Sequence, residues 1–200
     1  MREIERDGLT PSIDLVRAIQ AEVRLPLRVM VRDSDGFTIR RPEELRSLQR
    51  TFGILADLEV HGAVVGFARD GRLDLDAIHA VLSAAPHLPV TLHRAFDSVH
   101  DPFAAIDEAL TFPQIDRILT DGGGGDWTSR CRRFAEYAAR GGSGLTFLPG
   151  GGVDEEGLKA LAASRCVSEA HVGRAAREPQ EATAPVSAER VRLLKALLTS

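Results

Sequence analysis

Val90-Thr91-Leu92-His93-Arg94-Ala95-Phe96-Asp97 is the stretch whose reading decides the fold. It opens as an apolar, β-branched strand and closes on His93, Arg94 and Asp97. Burying such ionisable groups costs several kcal/mol each unless they are paired or wet. A strand that delivers them at its carboxyl end therefore points to parallel α/β architecture, where ligands sit at the strand C-termini.

The sequence on either side repeats the same unit. Upstream, Leu27 to Val31 and Gly62 to Phe67 read as strands, and Asp70-Gly71 as the turn after the second. Each strand is preceded by a helical pattern. The first opens at Thr10-Pro11, with Thr10 as N-cap, and carries Ile13, Val16, Ile19 and Val23 on one face. The second starts at Pro42 with Leu45, Leu48, Phe52 and Leu55. Asp74 caps the next, Leu75 to Leu82, and Asp101-Pro102 starts another with Phe103, Ile106 and Leu110. Downstream, Ile115 to Thr120, Gly144 to Pro149 and Val167 to Val172 read as further strands. They alternate with helices around Trp127, Cys131 and Phe134, then after Asp154, then after Ser187. Six βα units predict an all-parallel sheet with right-handed crossovers. Even spacing, polar or glycine-rich strand ends, and no G-x-G-x-x-G turn after the first strand favour a TIM-type barrel over an open doubly wound sheet. Eight strands would close it, so an incomplete barrel is expected, in one domain over residues 1–200.

Composition narrows the function. At 44% hydrophobic and 27% charged residues the chain has the profile of a soluble globular protein that buries its core without staples. A net charge of −4 argues against nucleic acid or an anionic membrane surface as partner. Cys131 and Cys166 show no metal-like spacing, and no disulfide framework is expected. No signal peptide or membrane span is legible, so a cytosolic enzyme or binding protein is the reading.

Three groups are candidate sites. Gly150-Gly151-Gly152 and Gly173-Arg174, at the last two strand ends, resemble the phosphate-binding pair of barrels; tight βα turns use glycine too. Glu169 and His171 lie two apart in the final predicted strand and point to one face, where Glu169 needs a partner. Arg32, His93, Arg94 and Asp97 suit a carboxylate or phosphate ligand, with His93 as proton shuttle and Asp97 fixing its tautomer. His93 and Arg94 cannot both face inward from a regular strand. His93, Asp97 and His100 match no standard metal spacing. Cys131 reads as a core residue and Cys166 as buried.

The residues carry a family resemblance. Leu9-Thr10-Pro11-Ser12, Val31-Arg32 with Gly36-Phe37, the His93-Arg94-Ala95-Phe96-Asp97 segment, Arg117-Ile118-Leu119-Thr120, Gly150-Gly151-Gly152-Val153 and Glu169-Ala170-His171 resemble, in order and spacing, the CutC copper homeostasis proteins. The resemblance implies a TIM-type barrel, a cytosolic location, a role in copper handling and copper as the bound ion. Against the family's pattern, the first βα unit and most of the second strand are expected to be missing before Leu9, with Ile4-Glu5 as a remnant. The family's Arg-Pro-Arg reads Arg32-Asp33-Ser34 here. Cu(I) prefers thiolate and thioether ligands. The chain offers Cys131, Cys166, Met1 and Met30, none of them at a strand end beside His93. The alternative function is an enzyme holding a small phosphorylated or carboxylated metabolite at the mouth. Open barrel edges further predict a homodimer that covers the gap, or poor solubility.

Overall fold

The structure, a computed structural model, describes residues 8–199. Its elements run α1 (Ile13–Glu22), β1 (Arg28–Met30), α2 (Pro42–Asp57), β2 (Gly62–Val65), β3 (Ala68–Arg69), β4 (Arg72–Leu73), α3 (Leu75–Leu82), β5 (Val90–Leu92), α4 (Pro102–Leu110), β6 (Ile115–Thr120), α5 (Trp127–Gly141), β7 (Thr146–Pro149), α6 (Glu155–Ser164) and α7 (Ala188–Thr199). Five strands form one parallel sheet in the order β1-β2-β5-β6-β7. Local chemistry starts the helices where the sequence says. Asp74, Asp101 and Asp154 each accept backbone N–H bonds from the first turn of α3, α4 and α6, and Pro42 opens α2.

Register sorts the side chains into two faces. Val65, Leu92, Ile118 and Phe147 share one row. All four are buried in a single core with Phe52, Ile78, Ile106, Phe134 and Leu161 from the helices. The next row, Met30, Val64, Thr91, Arg117 and Thr146, faces the other way and mixes polar with apolar groups. Helices thus cover one face only, as in a barrel; a doubly wound sheet would bury both. Among the described residues the strands form an open arc of a TIM-type barrel, with β1 and β7 at its edges. No helix among them is long and apolar enough to cross a membrane.

Four expectations change. Residues 167–172 are not a strand; the main-chain tie to β7 is His171 N–H to Pro149 O at 2.7 Å. One such rung does not make a ladder. Thr10 does not cap α1. Ser12 does, accepting from Leu15 N–H, while Thr10 N–H donates to Arg32 O at 2.9 Å and its hydroxyl accepts from Arg32 N–H at 2.8 Å. The strand expected over Gly62 to Phe67 ends at Val65, and the Asp70-Gly71 turn, present as expected with positive φ at both residues (51° and 73°), joins β3 and β4 in a hairpin. Finally, α4 buries Ala105, Ile106 and Ala109, leaving Phe103 and Leu110 only partly covered at 40% and 41% exposure. The Ile4-Glu5 remnant and Met1 lie outside the described residues.

Candidate functional site at the strand ends

β5 ends at Leu92, and the chain turns at once into a 3₁₀ segment, Arg94–Ser98. That turn resolves the conflict between His93 and Arg94, since a regular strand is not maintained. His93 caps the segment: its Nδ1 accepts the Ala95 N–H at 3.1 Å. An Nδ1 that accepts leaves the ring proton on Nε2. This Nε2–H is buried and has no hydrogen-bond partner. Burial, followed by the nearby Arg32 guanidinium, pushes His93 down to about 3, so the ring stays neutral. Gly66, at the end of β2, makes room for the ring: a Cβ there would stand 2.6 Å from His93 Nδ1. Phe37 packs over it with ring centroids 5.3 Å apart. A narrow cleft lined by Arg32, Ser34, Phe37, Gly66 and Phe67 adjoins this ring through Gly66 and Phe37. Arg32 itself is buried, its Nε–H donating to Ser34 O and Gly36 O.

Arg94 turns along the mouth. Its Nε–H donates to Asp97 Oδ2 at 2.7 Å and its NH2 group to Asp121 Oδ2 at 2.9 Å. Asp97 also accepts from the Thr120 hydroxyl and, more weakly, from Asp121 N–H. Burial raises the Asp97 pKa, opposed by the bonds from Thr120 and Arg94. Gly151, with φ 68°, lies against this pair; a Cβ there would stand 2.8 Å from Asp121 Cβ and 3.3 Å from Arg94 Cζ. Its smallness accommodates the ion pairs. Arg130 of α5 ties the turns together, donating to Asp121 O at 2.6 Å and Gly150 O at 3.0 Å.

The structure therefore gathers His93, Arg94, Asp97, Gly150 and Gly151 at the ends of β5, β6 and β7, with Arg32 near His93. The glycine turns offer less to an anion than their sequence suggests. Gly150 N–H is engaged by Thr120 O, Gly122 N–H by Thr120 Oγ1 and Gly123 N–H by Asp121 Oδ1. α6 opens with Asp154, Glu155 and Glu156, negative charge where a phosphate would bind. Gly152, Gly173 and Arg174 are exposed. Glu169 pairs with Arg117 at 3.0 Å on the concave face of the sheet, and Arg117 Nε is buried without a partner. Burial lowers the His171 pKa. Thr120 and Arg130 were not singled out from the sequence as site residues, although a Thr-Asp pair closing a strand was a legible signal for the first.

This is the architecture of a TIM-type barrel protein with its polar centre at the strand C-termini. Residues 2–176 match the model of the CutC family, and the chain belongs to that family. It is 31% identical over 170 residues to a family protein CutC of Parabacteroides distasonis, covering 84% of this chain and 70% of that one. It is 28% identical over 172 residues to the human copper homeostasis protein cutC homolog, covering 84% of this chain and 62% of that one. The chain thus spans less than two thirds of the human relative. A crystal structure carrying the name copper homeostasis protein CutC, from Streptococcus agalactiae, superposes with TM-score 0.76 at 25% identity, covering 84% of each chain.

Copper does not fit the mouth. Among the described residues no three His, Cys, Asp or Glu side chains stand close enough to share a metal ion. Ligation through His93 Nε2 would move the proton to Nδ1 and break the bond from Ala95 N–H.

Proposed function

We propose that this CutC-family protein serves copper homeostasis, as its named relatives do, and that its mouth binds a small carboxylate-bearing molecule. The observation that carries the reading is the buried, unpartnered His93 Nε2–H, a neutral donor that asks for an acceptor and offers no lone pair to a cation. Arg32 adds positive field at the same ring. A monoanion suits this set better than a phosphate dianion: Gly150 N–H is already engaged by Thr120 O, and Asp154, Glu155 and Glu156 open the helix that a phosphate would face. An enzymatic step on such a ligand is a further reading that no additional observation favours.

Thermal unfolding at constant ionic strength with acetate, succinate or inorganic phosphate tests this. At a hundred times its dissociation constant a carboxylate should add about 2.7 kcal/mol of stability. The gain should vanish in His93→Phe, and phosphate should give less. No carboxylate effect, or an equal one in the variant, refutes the proposal.

A further inference from the structure

A second orphaned donor shares the concave face with His93. The ladder between β2 and β5 continues past Leu92, His93 N–H donating to Val65 O at 2.9 Å. Side chains alternate along a strand, so His93 lies on the helix-free face with Thr91, one level nearer the mouth. The 2.6 Å approach of a Gly66 Cβ to the His93 ring puts Gly66 on that face too. Thr91 is in register with Arg117 of β6. His93 and Arg117 are therefore diagonal neighbours on adjoining strands, their Cα atoms about 8 Å apart. Each carries a buried N–H, His93 Nε2 and Arg117 Nε, with no hydrogen-bond partner among the described residues. Arg28, on the same face, is satisfied by contrast. A register shift between Val90 and Thr91 leaves Asp116 unopposed, and Arg28 bonds both of its carboxylate oxygens and the Thr91 hydroxyl. Glu169 takes one terminal nitrogen of Arg117 at 3.0 Å, and its side chain stays 43% exposed, so solvent reaches the pair. Half-buried Val64, Leu119 and Leu148 line the face between and beside these groups.

Resting on the carboxylate reading of the mouth, we propose that the ligand is a short aliphatic dicarboxylate lying along the concave face, one carboxylate on His93 Nε2–H and the other on Arg117. A buried donor left unsatisfied is costly, and two of them on one face are answered by two acceptors on one ligand. A carboxylate meets arginine side-on through Nε and a terminal nitrogen together, as Asp107 meets Arg140 on the surface. On Arg117 that edge is half filled: Glu169 holds the terminal nitrogen and Nε is open, so Glu169 competes with the second carboxylate. Arg32, stacked on the Phe37 ring that packs over His93, balances the first charge and Arg117 the second. Val64, Leu119 and Leu148 suit the methylenes between the heads.

Isothermal titration of the full chain with acetate, malonate, succinate and glutarate at constant ionic strength tests the second contact. The best dicarboxylate should bind about tenfold more tightly than acetate, the gain from one further charge-assisted contact. Arg117→Gln, shown folded by circular dichroism, should bring that dicarboxylate to the level of acetate. Glu169→Gln should act in the opposite direction and tighten the dicarboxylate severalfold, because the competitor for Arg117 loses its charge; an ion pair that is merely structural would give no gain. Three results overturn the second head while His93-dependent acetate binding, and with it the carboxylate reading, stands: no dicarboxylate advantage beyond the statistical factor of its two ends, an advantage that survives in folded Arg117→Gln, or no tightening in Glu169→Gln. Absence of binding by every carboxylate overturns both.

Discussion

Replacing His93 by asparagine should flatten the acid side of the stability profile. The wild-type ring is fully buried and neutral, with its pKa lowered from 6.5 to about 3. In the unfolded chain it titrates near its ordinary value. Between those two values the unfolded state holds a proton that the folded state does not, so stability falls as pH falls. The contribution is complete above 6.5 and is lost progressively toward about 3. Each pH unit inside that window is worth about 1.36 kcal/mol, so moving from about pH 7.5 to about pH 4.5 removes about 2.7 kcal/mol from this residue alone. Asparagine keeps an oxygen where Nδ1 accepts the Ala95 N–H and does not titrate. Urea unfolding of both proteins at the two pH values isolates the term, because His171, also lowered by burial, contributes equally to each. The variant loses baseline stability through lost packing against Phe37, but its drop between the two pH values should be smaller by about 2.7 kcal/mol. Parallel losses in the two proteins would mean the ring is not held neutral, and the unpartnered Nε2–H donor would fall with it.

Two further substitutions probe the frame around the site. Gly66→Ala places a methyl 2.6 Å from His93 Nδ1 and 3.1 Å from Ala95 Cβ. Overpacking of that kind should destabilise by about 1–3 kcal/mol, read from the urea midpoint, and should weaken carboxylate binding in step. Gln114→Ala removes an amide that donates to Ala85 O at 3.0 Å and, at longer range, to Leu88 O and Leu82 O. Its loss should cost about 1–3 kcal/mol and lower the melting temperature by several degrees without altering binding at the mouth.

Local chemistry made much of the fold legible. Asp74, Asp101 and Asp154 cap helices because an aspartate before an apolar helical run satisfies backbone donors within its own neighbourhood. The polar tail of the Val90–Leu92 strand pointed to a candidate site for a similar reason: ionisable groups at a strand end need partners, and Arg94 and Asp97 find them in each other, Asp121 and Thr120. Glu169 was expected to need a partner but had none in view, and the register of β6 brings Arg117 to it from 52 positions away. The glycine turn at Gly150–Gly152 looked like an anion cradle. Thr120 O, from the neighbouring strand end, already accepts the Gly150 N–H, and Asp154, Glu155 and Glu156 place negative charge where the next helix opens.

What the sequence determined alone is the alternation of strand and helix, the helix starts, the helix-facing core and the polar strand ends, all set by interactions a few residues long. Tertiary structure decided which polar groups meet. Arg94 finds Asp121 and Arg130 reaches Gly150 only after the strands take their register and the helices close on one face. It also decided that residues 167–172 make one rung with β7 and no ladder. A strand exists through its neighbour, and no run of side chains read alone supplies the partner's hydrogen bonds.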